Sequence, residues 1–121
     1  MKLLICSLAL FLCTVATAGD WSKNNTILES SWQGINLIDW GQTLDIADKC
    51  RTSGIHERNP LLPRCPTFKQ VNRHFLLGAA LHLGVSYGLP QKYRSGFQWV
   101  TIGYGVNIID SNFHLGLKVK F

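Results

Sequence analysis

Between Thr26 and Lys49 the apolar residues recur three and four apart: Leu28, Trp32 and Ile35 form one arc, and Leu37, Trp40, Leu44 and Ala47 a neighbouring one. That spacing predicts an amphipathic helix with a wide apolar face. Asn24, Asn25 or Thr26 can cap its start, Glu29 follows Thr26 by three residues as a capping-box partner, and Lys49 suits the negative end of the helix dipole. Asp39, Gln42, Asp45 and Asp48 interrupt the apolar character. Each carboxylate at the centre of a spanning helix costs about 2.5–3.5 kcal/mol, so this helix is expected on a surface or in a bundle.

A second helix is expected after Pro66, with Thr67 as N-cap, running to about Gly88 before Pro90 stops it. Its first turns carry Lys69, Gln70, Asn72 and Arg73, whereas Phe75 to Gln91 holds no Asp, Glu, Lys or Arg. Ala80, Gly84 and Gly88 fall four apart and line a ridge of small residues on which another backbone can pack closely. Two readings of residues 74–91 stay open at this point: a buried helix of a soluble bundle, or a membrane segment.

From Ser95 onward the pattern changes. Val100, Ile102, Tyr104, Val106 and Ile108 alternate with Thr101, Gly103, Gly105 and Asn107, and Phe113, Leu115, Leu117, Val119 and Phe121 alternate with polar or small residues. Asp110-Ser111-Asn112 between the two runs is turn chemistry, so a β-hairpin over 98–121 is the simplest reading, with a third apolar helix over 95–109 as the alternative. The expected fold is mainly α, two to three helices in a small bundle, with a β-strand or β-hairpin at the C-terminus.

The N-terminus changes the picture. Lys2, the apolar run from Leu3 to Val15 and Ala16-Thr17-Ala18 together read as a signal peptide over 1–18, whose cleavage leaves Gly19 first. Residues 19–121 are then one small domain, expected in the periplasm or on a membrane of the cell envelope. Cleavage also removes Cys6 and Cys13, and the remaining pair, Cys50 and Cys65, reads as a disulfide in an oxidising compartment. A metal site of Cys50, His56 and Cys65 is the rival, but its spacing matches no standard zinc pattern. The formal charge of +5 for the whole chain is dispersed rather than clustered, which argues against a nucleic-acid partner and leaves anionic lipid as one surface it would favour.

Candidate chemistry is thin. His56, His74, His82 and His114 form no ligand set, and Asp39, in the least polar part of the first helix, is expected to pair with His82 or Arg73 across a helix interface. Ser86 lacks the G-x-S-x-G context of an exposed nucleophile, and Gly103-Tyr104-Gly105 lacks the third glycine of a nucleotide loop. These readings support no catalytic residue, cofactor or metal.

The string Asp39-Trp40-Gly41-Gln42-Thr43, followed by Glu57-x-Asn59-Pro60-Leu61-Leu62 and by Pro66 before an apolar helix, resembles a set of small exported or membrane proteins of unknown function encoded by bacteriophages, prophages and bacteria. Those proteins share a D-x-x-Q-T helix and an E-x-N-P loop. The resemblance implies a phage or bacterial origin and an envelope location, and it transfers no activity. Physically the motif reads as a structural clasp of Asp39, Gln42, Thr43, Glu57, Asn59 and Pro60: Asn59-Pro60 forces an extended turn, Glu57 accepts backbone N–H groups, and Gln42 or Thr43 ties the loop to the first helix. The expectation is a protein that acts by binding or membrane association, with an envelope protein, membrane lipid or a second copy of itself as partner. A membrane-active or pore-forming protein is the alternative, ahead of a cell-wall hydrolase.

Overall fold

The computed structural model describes residues 20–121. The signal-peptide features, Gly19, Cys6 and Cys13 lie outside the described residues. Three helices follow in order: α1, Lys23–Ser53; α2, Phe68–Gly88; and α3, Gln91–His114. Glu29 of α1 meets His82 of α2, Trp40 meets Asn72, and Asn25 meets Gln98 of α3, so α2 runs antiparallel to both other helices. Most of the packing is made by α1, against which α2 and α3 are both laid.

The helix ends follow from capping chemistry. Ser22 caps α1, one turn earlier than Thr26: its hydroxyl accepts from Asn25 N at 3.1 Å while Asn25 Oδ1 accepts from Ser22 N at 3.2 Å. Gly54, at φ +72°, takes the left-handed conformation that ends α1. At α2 the expected cap is present, with Gln70 N donating to Thr67 Oγ1 and Thr67 N to Gln70 Oε1. Leu89 is extended before Pro90, which breaks the chain between α2 and α3.

The expected C-terminal hairpin is corrected: no strand occurs among the described residues, and 91–114 is one helix. The alternation that suggested strands is of residues that mostly face outward, with Val100 73% exposed and Tyr104 69%. The helical period is carried instead by Arg94, Gln98, Thr101, Gly105, Ile108 and Asn112, spaced four and three apart and turned toward α1. Where a helix is polar inside and apolar outside, a search for apolar periodicity reads the wrong face. The other expected strand is an irregular tail, 115–121, that folds back along α1. Lys120 N donates to Gly41 O, and a Cβ on Gly41 would stand 2.5 Å from Val119 Cγ1, so only glycine lets the tail cross there.

The interior differs between the two ends. Near the α1–α2 loop it is mostly apolar, built from Leu44, Val71 and Phe75 with Trp40 and Ala47, and from Ile46, Cys50 and Leu117 with Ile55 and Cys65, with Gln42, Thr43 and Asp45 buried beside them. Toward the α2–α3 turn it is mainly polar: Asn25, Glu29, His82, Ser86, Arg94 and Gln98 are all buried. The surface over that polar end is apolar in turn. Leu76, Leu77, Leu81, Leu83 and Val85 are exposed, and with Ala80, Gly84 and Gly88 they cover more than half the circumference of α2 at about 3.6 residues per turn. Among the described residues no helix is long and apolar enough to cross a membrane.

Candidate functional site

The polar end is a closed hydrogen-bond network. His82 Nδ1 lies 3.1 Å from both carboxylate oxygens of Glu29, and His82 Nε2 lies 2.8 Å from Thr101 Oγ1. Gln98 Nε2 donates to Glu29 Oε2 and to Asn25 O, Gln33 Nε2 donates to Glu29 Oε1, and Asn25 Nδ2 donates to Gln98 Oε1. Burial pushes the Glu29 carboxyl up, but hydrogen bonds from Gln33, His82 and Ser86 outweigh it and hold Glu29 below the usual carboxylate range. Trp32 stacks on the His82 ring with centroids 3.6 Å apart, closing one face of it.

Arg94, fully buried, reaches no carboxylate. Nε donates to Ser86 O at 2.7 Å, NH2 to Leu89 O at 2.8 Å and to Tyr87 O at 3.2 Å, and NH1 to Asp20 O at 3.0 Å. It thus satisfies carbonyls at the end of α2, where the helix dipole is negative. Its guanidinium also lies over the Trp21 ring.

Glu29, His82 and Thr101 stand in the order of a proton relay ending on a hydroxyl. Thr101 is in mid-helix, however, and its hydroxyl also donates to Phe97 O and Gln98 O at 3.0 Å. The backbone N–H groups around it are engaged in α3, so the arrangement offers no N–H pair to hold an oxyanion. What it can do is fix the three helices in register and hold one proton between an imidazole and a carboxylate.

Between the polar and apolar ends lies a cleft of about 250 Å³, walled by Trp32, Ile35, Phe75, Gly78, Tyr104 and Ile108, with Asn36, Asp39, His74 and Thr101 as its polar groups. Burial, followed by the nearby charge of Glu57, pushes the Asp39 carboxyl up to about 6 despite a hydrogen bond from Asn112 Nδ2 at 3.1 Å. Asp39 therefore pairs with Asn112, whereas the sequence suggested His82 or Arg73.

The clasp residues separate into two groups. Gln42, fully buried, joins α1 to α3: Nε2 donates to Ile109 O and Oε1 accepts from Asn112 Nδ2. Thr43 is buried and makes no side-chain hydrogen bond to a described residue. In the loop, Glu57 Oε1 accepts from Arg58 N and Asn59 N, Asn59 Oδ1 accepts from Leu61 N, and Asn59 Nδ2 donates toward His74 Nε2 at 3.0 Å. The loop is thus tied to α2 through His74, and Pro60 sits in its turn. Glu57 Oε2 is buried without a partner.

Cys50 and Cys65 are at disulfide distance, with Cα atoms 5.6 Å apart, and close the loop onto the end of α1. His56 Nδ1 lies 3.6 Å from Cys65 Sγ, yet no group of three or more metal-ligating side chains gathers among the described residues. The ridge of Ala80, Gly84 and Gly88 lies on the outward side of α2, turned away from α1.

Sequence reasoning missed Arg94 and Gln98, gave Asn25 and Glu29 only capping roles, weighed Ser86 only as a nucleophile and read Thr101 only as part of a strand. The four-and-three spacing of polar residues from Arg94 to Asn112 was the signal that would have found α3 and half the network. Comparisons with protein-family models, curated proteins and solved structures return no match.

Proposed function

We propose that the chain acts by membrane association, with the outward arc of α2 and the adjoining face of α3 resting in the acyl-chain layer. The observation that carries this is the reversal of α2, which turns His82 and Ser86 inward and Leu76, Leu77, Leu81, Leu83 and Val85 outward. In water those five side chains forgo about 1 kcal/mol each relative to full burial, a total near the net stability of a small domain. Lipid removes that cost, while the network inside satisfies the polar groups that a lipid-facing surface could not.

Charge supports the same reading. Arg51, Arg58, Arg64, Lys69 and Arg73 are all exposed around the α1–α2 loop, on the flank of the bare apolar arc, and they favour anionic headgroups. At the other end Trp21, Tyr87 and Tyr93 offer the amphipathic rings that favour a lipid–water boundary. Export, an envelope location and a phage or bacterial origin rest on the leader pattern and the D-x-x-Q-T and E-x-N-P resemblance, and they are part of the proposal. A second reading, self-association on the Ala80, Gly84 and Gly88 ridge, is favoured by the placement of that ridge outside the bundle.

Co-flotation with anionic vesicles, followed by a carbonate wash, tests the reading. The full chain should float and resist the wash, and a Leu76→Gln, Leu81→Gln, Val85→Gln variant should stay at the bottom while keeping its helical circular dichroism. Equal flotation of the variant would contradict membrane association through this arc. A vesicle-independent dimer lost in the same variant would assign the arc to a second copy.

A further inference from the structure

The cleft between the three helices has a chemistry that the membrane-facing arc does not use. Trp32 of α1 and Phe75 of α2 wall the cleft, Tyr104 of α3, 69% exposed, stands at its rim, and its acidic group is Asp39. No lysine or arginine lines it. Among the described residues, the charge that raises the Asp39 carboxyl is a second carboxylate, Glu57, which adds to the cost of leaving this end of the cleft without a cation. A carboxylate beside several aromatic side chains, with His74 as the one basic side chain among the described lining residues and no lysine or arginine, is a composition that recognises an ammonium group.

Size and backbone agree with a ligand. An apolar cavity of roughly 150 Å³ is enough to hold benzene, so about 250 Å³ accommodates one ring or its equivalent with a short chain. Gly78 lies on the wall, and a Cβ built there meets nothing within 4 Å. The sequence thus places a residue about 1 kcal/mol worse than alanine for a helix where a side chain would meet no clash. Glycine there leaves the space open.

We propose that this cleft binds a ligand with an ammonium group on a compact apolar body, the ammonium at Asp39 and the body against Trp32, Phe75 and Tyr104. The ligand chemistry is that of arylalkylamines; an amine-ending phospholipid headgroup sets an anionic phosphate where this cleft offers no lysine or arginine among its described lining residues. This binding stands independently of membrane association through the outer arc.

Three probes with one skeleton test it on the full chain: 2-phenylethylamine, 2-phenylethanol and 3-phenylpropionate, titrated at neutral pH by calorimetry and by quenching of tryptophan fluorescence. The amine should bind about tenfold more tightly than the alcohol, and the acid more weakly than either. Asp39→Asn should remove the preference for the amine and leave the alcohol unchanged. Gly78→Leu should abolish binding of all three, while Gly34→Leu, at an open position away from the cleft, should not. Lysophosphatidylethanolamine, whose ammonium neighbours a phosphate, should not displace the amine, and displacement would contradict the apolar body. Equal affinity for the three wild-type probes, a comparison that needs no variant to fold, would overturn the proposal. So would amine binding that survives Gly78→Leu.

Discussion

Glu29 and His82 meet 53 residues apart in sequence, the imidazole Nδ1 within 3.1 Å of both carboxylate oxygens, inside a bundle whose adjoining α2 surface is leucine and valine. The pair does not stand alone, because Gln33 and Gln98 donate to the same carboxylate. Glu29→Leu strands the donors of three side chains and is expected to cost about 3–5 kcal/mol in chemical denaturation. Adding His82→Leu should recover part of that loss. A double-mutant cycle showing strict additivity would mean the two residues do not act as a unit.

Arg94 makes a sharper case, since its four hydrogen bonds all go to backbone carbonyls. Arg94→Met keeps much of the volume and leaves those carbonyls unpaired, at an expected cost of about 3 kcal/mol or more. Arg94→Lys should recover little, because one ammonium cannot span carbonyls that the planar fork reaches together. Amide exchange should quicken first in the last turn of α2 and at the start of α3. Uniform quickening across all three helices would contradict the local role.

The two ends of the interior explain what the sequence revealed and what it hid. At the loop end, Leu44, Val71 and Phe75 are buried and apolar, and Pro66 and Thr67 punctuate the chain as turn and cap residues do, as Gly88 and Pro90 do at the far end of α2. There the ordinary rule holds, and the first two helices were legible to within a few residues. At the other end, the residues turned inward on α3 are Arg94, Gln98 and Thr101, and the apolar Val100 and Val106 face out. A β-branched, alternating surface then imitates a strand. The cleft was hidden because Asp39, His74 and Thr101 come from three helices whose mutual rotation no local pattern records.

Asp39 gives a pH signature. Its carboxyl titrates at about 6 in the folded chain against an ordinary value of 3.8, because burial first and Glu57 second oppose its charge. Between those two values the unfolded chain has lost a proton that the folded chain keeps, so this group lowers stability as pH rises from about 4 to about 6. The penalty then stays constant above 6. Asp39→Asn should flatten that part of the profile and stabilise the protein near neutrality by up to about 3 kcal/mol. A denaturation series in which the variant parallels the wild type across this window would contradict the assignment.

The Cys50–Cys65 pair closes a segment that carries little apolar surface of its own. In the chain-entropy model a loop of this size is worth about 3 kcal/mol, so Cys65→Ser should lower stability by that order. Without reductant both thiols should resist alkylation in intact cells that make the protein. Rapid labelling of both would place the loop in a reducing compartment and remove one support for export.

The outer arc of α2 is the surface proposed to face lipid. Nitroxide labels introduced singly at Leu81→Cys on the arc, and at Asp48→Cys on the exposed side of α1 near the tail, report their surroundings by collision with oxygen or with a water-soluble nickel chelate. With anionic vesicles added, the label at position 81 should gain collisions with oxygen and lose them with nickel, while the label at position 48 should remain open to nickel. Equal exposure to nickel at the two positions, with the protein bound to the vesicles, would show that this arc does not lie in lipid.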